Sequence, residues 1–174
     1  SLSGSTSVAD ANSIDAATSG VITASITEGD LATLSTLSGS GNAYTITLSD
    51  SSANAAALNS LDGTTTVAIN AASLNTISGS VADALIAYNS SGISGLGNEA
   101  INISDTSLAA AELNSLDSKT SGSINASSLT ALTGTATEVK ATYASTGISG
   151  LGNEAISLSG STSVADANSI DAAT

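Results

Sequence analysis

SLSGSTSVADANSIDAAT, the sequence of residues 1–18, recurs without a single change as residues 157–174. One full cassette therefore covers residues 1–156, and the 174-residue chain also contains the start of the next. A shorter period lies inside the cassette, because GISGLGNEAINIS at 92–104 returns as GISGLGNEAISLS at 147–159. Self-similarity at a fixed period indicates a stacked repeat architecture rather than an irregular globule.

The cassette, residues 1–156, divides into three related sub-units. Their approximate bounds are 1–43, 44–99 and 100–155, and residues 157–174 begin the next identical cassette. We expect the whole chain to form one continuous solenoid, because each repeat of this kind buries its apolar face only against its neighbours.

Short runs of alternating apolar and polar residues predict half-buried strands. The six runs are VITASI (21–26), YTITLS (44–49), TVAINA (66–71), AINIS (100–104), SINA (123–126) and AISLS (155–159). One face of each predicted strand is aliphatic and the other face is small and polar. The residues predicted on this polar face are Thr23, Ser25, Thr45, Thr47, Asn70, Asn102, Ser104, Ser123, Asn125, Ser157 and Ser159.

Apolar triplets at positions i, i+3 and i+6 follow the strands and predict two-turn helices with one packing stripe. The six triplets are Val8-Ala11-Ile14, Leu31-Leu34-Leu37, Ala55-Leu58-Leu61, Ala71-Leu74-Ile77, Ala110-Leu113-Leu116 and Ala126-Leu129-Leu132. Asp50 and Asp105 directly follow strands and are predicted N-caps. Further helices are predicted at 80–88 and 135–143, each followed by a Gly-rich return to the next strand.

One strand and one helix recur about every 22 residues, and each such stretch is called a rung below. Successive strands joined by a helical crossover pair in parallel, and such crossovers are right-handed. The sequence therefore predicts a right-handed α/β solenoid with a parallel sheet on one side, short helices on the other and six rungs per cassette. An all-β solenoid, with the triplets as strands or arcs, is the alternative, although the Ala run at 109–111 favours helix.

The composition excludes several classes of chemistry. The chain has 15 acidic and 2 basic residues, a formal net charge of -13, and neither Cys nor His, so thiol nucleophiles, Cys–His zinc sites and Ser-His-Asp triads lack their residues. Only Lys119 and Lys140 are cationic, which argues against nucleic-acid binding. No apolar run reaches the roughly 18 residues needed to span a bilayer, so we expect no membrane insertion. Nothing in the sequence predicts an enzyme.

Two long phrases carry a resemblance to a known repeat type. TSLAAAELNSLDSKTSGSINASSLTALTGTATEVKATYASTGISGLGNEAISLS (106–159) and SVADANSIDAATSGVITASITEGDLATLSTLSGSGNAYTITLSD (7–50) resemble the Ala/Thr/Ser-rich tandem repeats of giant secreted or cell-surface proteins of marine cyanobacteria and related bacteria. Similar strings occur in tail-fibre-like proteins of their phages. The resemblance implies an extracellular or cell-surface location, export without a cleaved N-terminal signal, and a spacer or filament task. It transfers no catalytic or binding residue.

These observations predict a non-enzymatic structural repeat module of a long extracellular filament, stalk or adhesin spacer that associates with itself end to end or laterally. The alternative is a binding module that uses the polar face for ice or glycan, or calcium for adhesion. The calcium candidates are Asp15, Asp62 and Asp117. Each directly follows the last residue of a triplet, on alternate rungs, and together they could stack as carboxylate ligands. The competing interpretation is that they satisfy donors in the turn after each helix. No other cofactor is expected.

Overall fold

The structure is a computed structural model that describes residues 4–174. In this part of the chain there are thirteen short strands and seven helices, with one to three strands before each helix. The strand pairs detailed below are all parallel. The α/β prediction is therefore confirmed. The helices are α1 Val8–Asp15, α2 Leu31–Leu34, α3 Ala55–Asp62, α4 Val81–Asn89, α5 Ala110–Asp117, α6 Ala136–Ala144 and α7 Val164–Asp171. The strands are β1 Ser5–Thr6, β2 Thr23–Ile26, β3 Ala43–Thr45, β4 Ser52–Asn54, β5 Ile69–Asn70, β6 Thr76–Gly79, β7 Ile93–Ser94, β8 Ala100–Ile103, β9 Ser107–Ala109, β10 Ile124–Asn125, β11 Ala131–Gly134, β12 Ile148–Ser149 and β13 Ala155–Leu158.

The chain separates into two compact units. The first takes the residues up to Thr76 together with Ile86–Leu96, and the second takes Ile77–Leu85 with Gly97–Thr174. Within the first unit β1, β2 and β3 lie side by side, and β5 pairs with β7.

The second unit contains two sets of parallel strands. In one set β10 lies between β8 and β12, so that Ile124 is flanked by Ile101 and Ile148. In the other set β11 lies between β9 and β13. Aliphatic residues of neighbouring strands thus occupy the same register, and this alignment builds continuous apolar rows under the helices.

The core is mostly aliphatic, as the composition requires, and includes the fully buried Tyr44 in the first unit. The inward residues of the helices are almost completely buried: Ala55, Leu58 and Leu61 on α3, and Ala110, Leu113 and Leu116 on α5. Helices of four to nine residues are too short to be stable alone in water, so this packing holds them in place. Within residues 4–174 no helix combines the length and the apolar character that a membrane crossing requires.

Every predicted strand overlaps an observed strand, and four of the six triplets lie on helices, although α2 ends at Leu34. The helices predicted at 80–88 and 135–143 are also confirmed, as α4 and α6. The triplets Ala71-Leu74-Ile77 and Ala126-Leu129-Leu132 are wrong as helices, since each forms a turn that leads into a strand.

A serine in each of these turns explains the difference. The Ser73 hydroxyl donates to the carbonyls of Leu48 and Asp50, both at 2.9 Å. Its repeat equivalent Ser128 donates to Ile103 and Asp105 in the same way, again at 2.9 Å. A serine that bonds the backbone of a neighbouring rung favours turn over helix, so the apolar spacing here marks the ends of a turn.

Glycine is required at the return loops. Gly95 and Gly150 have φ of 88° and 84°, in the left-handed region that side chains disfavour. A Cβ at either position would also approach the backbone nitrogen of Ala72 or Ser127 to within 2.8 or 2.7 Å. These loops are therefore tight backbone turns.

Candidate functional site

The residues predicted to form the polar face are all exposed. They are Thr23, Ser25, Thr45, Thr47 and Asn70 in the first unit, and Asn102, Ser104, Ser123, Asn125, Ser157 and Ser159 in the second. The structure places those of the second unit on two different strand sets, because Ser157 lies on β13 beside β11 whereas Asn102 and Asn125 lie on β8 and β10.

The asparagines of this surface also make hydrogen bonds within the protein. Nδ2 of Asn125 donates to Oδ1 of Asn102 at 3.2 Å across the paired strands. Oδ1 of Asn70 and of Asn125 each accepts the backbone N–H of the second residue after it, at 3.1 Å. These bonds close the turn after the strand, so part of the polar face serves the fold. Ice or glycan binding by this surface stays a prediction.

Three acidic side chains each cap a helix of the preceding rung. Glu28 accepts the N–H of Val8 at 3.1 Å, Asp50 accepts that of Leu31 at 2.6 Å, and Asp105 accepts that of Val81 at 2.8 Å. Each acceptor lies 19 to 24 residues after the helix start that it caps. A carboxylate at a helix N-terminus satisfies an otherwise unpaired donor and complements the helix dipole.

This arrangement corrects the expected role of Asp50 and Asp105. They are not the N-caps of the helices that follow them, because α3 is capped by the Asn54 side chain and α5 begins after Ala109 without a side-chain cap. They join two rungs instead. Helix α2 has both kinds of cap, since its own Asp30 accepts the N–H of Thr33 at 2.8 Å. Hydrogen bonds from the side chain and then the backbone of Thr33 lower the pKa of Asp30.

Asp62 and Asp117, at the C-terminal ends of α3 and α5, also bond to the next rung. Asp62 accepts the Ser90 hydroxyl at 2.7 Å, and the Ser90 oxygen in turn accepts the N–H of Gly92 at 3.0 Å. Asp117, Ser145 and Gly147 repeat this chain of bonds with the same two distances. A Cβ on either glycine would collide with the aspartate carboxylate, so a larger residue there would force this side chain to move.

Asp15 makes the same connection with a different partner. Its Oδ1 accepts Nδ2 of the buried Asn42 at 2.8 Å, and Oδ1 of Asn42 accepts the N–H of Ile22 at 2.9 Å. The carboxylate faces Gly39 and borders an open cavity of about 340 Å³. Asp15, Asp62 and Asp117, the connector aspartates, thus each accept a hydrogen bond from a side chain of the following rung.

The asparagine at the start of the same helix turn makes a second link. Asn12 donates to the carbonyl of Thr36 and accepts the N–H of Ser38, both at 2.8 Å. Asn114 donates to the carbonyl of Glu138 at 3.0 Å and accepts the Thr142 hydroxyl at 2.8 Å. At 12–15 and 114–117 the motif Asn-Ser-Ile/Leu-Asp at the helix end therefore connects two rungs through both its Asn and its Asp.

Sequence reasoning missed this motif although a signal was present. The motif recurs at 12–15, 59–62, 114–117 and 168–171. Each time it carries three polar residues on the helix turn that also holds the last apolar residue of the triplet. Among the described residues no cluster of three or more Asp or Glu side chains suits a metal ion. Calcium binding by Asp15, Asp62 and Asp117 stays a prediction.

Glu99 and Glu154 accept backbone N–H groups at the ends of the two Gly-rich loops. Glu99 accepts the N–H groups of Gly97 and Asn98 at 2.8 and 3.2 Å. Glu154 accepts the N–H of Gly152 at 2.9 Å and the Tyr143 hydroxyl at 2.6 Å. Burial opposes ionisation of Glu154, but these donors outweigh it and lower the pKa of the carboxyl.

The hydroxyls of Tyr44 and Tyr143 differ in their hydrogen bonding. Burial and the bond to Glu154 raise the pKa of Tyr143. Tyr44 is fully buried, and its hydroxyl has no hydrogen-bond partner among the described residues. Its pKa is also raised, by burial and by the nearby charge of Asp15.

Comparisons of the chain with family models, with curated proteins and with solved structures find no match.

Proposed function

We propose that this chain is a section of a right-handed α/β solenoid with six rungs per cassette. We further propose that it serves as a non-enzymatic structural module of a long extracellular filament, stalk or adhesin spacer. The Ala/Thr/Ser-rich repeat phrases quoted above support the extracellular location. The role is mechanical: the polar connectors and the apolar rows hold neighbouring rungs together.

One observation carries the proposal: strand pairing in both units joins residues that lie one rung apart. Ser5 pairs with Ser25 and Thr23 with Ala43, at the same sequence offset. In the second unit Ile124 pairs with Ile101 on one side and with Ile148 on the other, and these two offsets differ by a single position. A chain that returns beside itself after a nearly constant length, always in parallel, is what a solenoid requires.

The side-chain contacts follow the same interval. The cross-rung caps and connectors span 19 to 28 residues, from Asp50 to Leu31 at one extreme and Ser145 to Asp117 at the other. Because every such bond joins one rung to the next, the energy of each rung depends on its immediate neighbours. Length can therefore increase by duplication without the design of a new core.

The test is the length of tandem chains in solution. We would prepare chains of one, two and three cassettes joined at the natural repeat and measure their maximum dimension and cross-section by small-angle X-ray scattering. Six rungs at about 4.8 Å each predict an increase of about 29 Å per cassette at constant cross-section. A maximum dimension that grows only as the cube root of mass would contradict the proposal.

A matched control separates stacking from simple tethering. In this control a Gly/Ser linker of equal length replaces residues 157–174 at each junction, so the cassettes are connected but the shared rung is missing. We expect a broad distribution of dimensions from such a linker, in contrast to the single length of the natural junction. Equal distributions for both chains would show that the junction does not form a continuous stack.

A further inference from the structure

The buried hydroxyl group of Tyr44, in the first unit, has no role in the function proposed above. Tyr44 is 0% exposed, and its hydroxyl oxygen has no hydrogen-bond partner within residues 4–174. The backbone of the same residue is fully bonded, because its N–H donates to the Thr65 hydroxyl at 2.9 Å and its carbonyl accepts that hydroxyl at 2.8 Å. A buried hydroxyl that makes no hydrogen bond destabilises a fold, so the side chain requires a partner.

The Tyr44 side chain lies close to the connector aspartate Asp15. Side chains two residues apart along a strand share a face, and Asn42 and Tyr44 are both buried. Nδ2 of Asn42 donates to Oδ1 of Asp15 at 2.8 Å, so Tyr44 is the next inward side chain after the one that contacts this carboxylate. Burial and then the charge of Asp15 raise the pKa of Tyr44. The hydroxyl and the carboxylate are therefore within electrostatic range of each other, although no hydrogen bond joins them.

Asp15 has an acceptor available for this hydroxyl. Its Oδ1 accepts Asn42, whereas its Oδ2 faces Gly39 and receives no hydrogen bond from residues 4–174. A tyrosine with a raised pKa keeps its proton at neutral pH and is a donor. Donor and acceptor are thus both present, but they are too far apart for a direct hydrogen bond. Polar groups separated by more than about 3.5 Å are commonly joined by a bridging water.

The other connector aspartates show which group occupies this place elsewhere. At Asp62 the Ser90 hydroxyl donates to the carboxylate and its oxygen accepts a backbone N–H. This serine lies 28 residues after the aspartate, and the equivalent serine at Asp117 lies at the same distance. The residue at that position after Asp15 is Ala43, which has no hydroxyl group. The Asp15 link therefore lacks the hydroxyl that passes a hydrogen bond from a donor to the carboxylate.

We propose that a water molecule binds between Tyr44 and Asp15, where it accepts the hydroxyl proton from Oη and donates to Oδ2. This water takes the place of the serine hydroxyl at the other two connector aspartates. A single group that accepts and donates is required, which a water provides, whereas an anion would be repelled by the carboxylate. The open cavity that borders Asp15 gives solvent access to the site. All of these residues belong to the first unit, so the proposal does not depend on how cassettes assemble.

Removal of the hydroxyl is the first test. If Tyr44 is bonded through water, Tyr44→Phe should lower the melting temperature by about 2–4 °C, the shift expected for the loss of one ordinary hydrogen bond. The matched variant Tyr143→Phe removes a hydroxyl that bonds Glu154 directly at 2.6 Å and shows the effect of a bonded tyrosine in this protein. An unchanged or higher melting temperature for Tyr44→Phe would overturn the proposal, because deletion of an unbonded buried hydroxyl is neutral or stabilising.

A double-mutant cycle tests whether the two groups share one ligand. Asp15→Asn keeps an oxygen for the contact with Asn42 and replaces the acceptor Oδ2 by an amide. If one water joins Tyr44 to Asp15, loss of either group disrupts the same bridge. The combined variant Tyr44→Phe/Asp15→Asn should then lower the melting temperature by less than the sum of the two single shifts. Strictly additive shifts would contradict a shared water.

High-resolution crystal structures of the natural chain and of Tyr44→Phe would locate the water directly. We expect a density peak at hydrogen-bond distance, about 2.7–2.8 Å, from both Oη of Tyr44 and Oδ2 of Asp15, and its loss in the variant. A direct bond between the two side chains, or no peak between them, would overturn the proposal. Neither result bears on the growth of tandem cassettes, so this inference and the proposed function can fail separately.

Discussion

Residues 49–62 of the first unit and 104–117 of the second are repeat equivalents. Their helices differ in whether a side chain caps the N-terminus. In the first, Oδ1 of Asn54 accepts the N–H groups of Ala56 and Ala57 at 3.0 and 3.3 Å. In the second, Ala109 occupies the same position and offers no side-chain acceptor. Both helices nevertheless have eight residues and bury the same three positions. The comparison teaches that packing between rungs, rather than local capping, determines where these helices form.

Substitution of the buried leucines is the strongest test of the role of packing between rungs. Leu58→Ala and Leu113→Ala each remove a fully buried side chain and should each cost about 3 kcal/mol of the free energy of unfolding. Because contacts are made between neighbouring rungs, we expect faster amide exchange near the substitution and little change in distant rungs. Hydrogen–deuterium exchange with mass spectrometry would measure this, and a uniform increase along the chain would contradict it.

Substitutions of the connector aspartates should have the next largest effect on stability. Asp62→Ala and Asp117→Ala leave a serine hydroxyl of the following rung without its acceptor, which should cost about 1–2 kcal/mol each. The control is Asp171→Ala, since no rung follows the motif at 168–171 within residues 4–174 and the change should be neutral in a monomer. Chemical denaturation would show this order, and an equal cost for Asp171→Ala would remove the basis for calling these residues connectors.

Exchanging the N-cap residues of α3 and α5 should change stability by smaller amounts and in opposite directions. Asn54→Ala should destabilise the protein by about 1 kcal/mol, and Ala109→Asn should stabilise it by a similar or smaller amount. Thermal unfolding of the two single variants measures the difference between the repeat copies directly. If neither variant shifts the melting temperature, the side-chain cap of α3 contributes nothing beyond the packing.

The two units should also respond differently to acid. In the second unit, hydrogen bonds lower the pKa of Glu138, Glu154 and Asp166, the last also through its 2.7 Å contact with Lys140; in the first, Asp30 is lowered. A carboxyl with a lowered pKa in the folded state stabilises the protein above its unfolded pKa and loses this contribution as the pH falls through the folded value. We therefore expect α6 and α7 to lose exchange protection before α3 below about pH 4.5, after correction for intrinsic exchange rates. Earlier loss in α3 would contradict the assignment.

The strands and most helices could be predicted because their patterns are local. Alternation at 23–26 and the triplet at Ala55, Leu58 and Leu61 fix the buried face without knowledge of any distant residue. The triplet at Ala71, Leu74 and Ile77 misled because the same spacing also joins a strand, a turn and the next strand. Poor helix formers between these residues, such as Ser73 and Thr76, were the available warning.

The links between rungs could not be derived from the sequence alone. The pairing of Asp105 with Val81 depends on which backbone N–H lies opposite the carboxylate, and this requires the register of two rungs. A sequence pattern places Asp105 after a strand but cannot distinguish the helix that follows from the helix that precedes it.

The capping of a helix by the following rung bears on how such a chain folds as it leaves the ribosome. Helix α4 obtains the acceptor for its first N–H only when Asp105, 24 residues later, has been synthesised. The boundary between ordered and nascent polypeptide should therefore trail the exit tunnel by about one rung, whatever the number of cassettes. Translation of even a very long array would then expose only a short unfinished stretch at any moment, which limits the time in which aggregation or proteolysis can compete with folding.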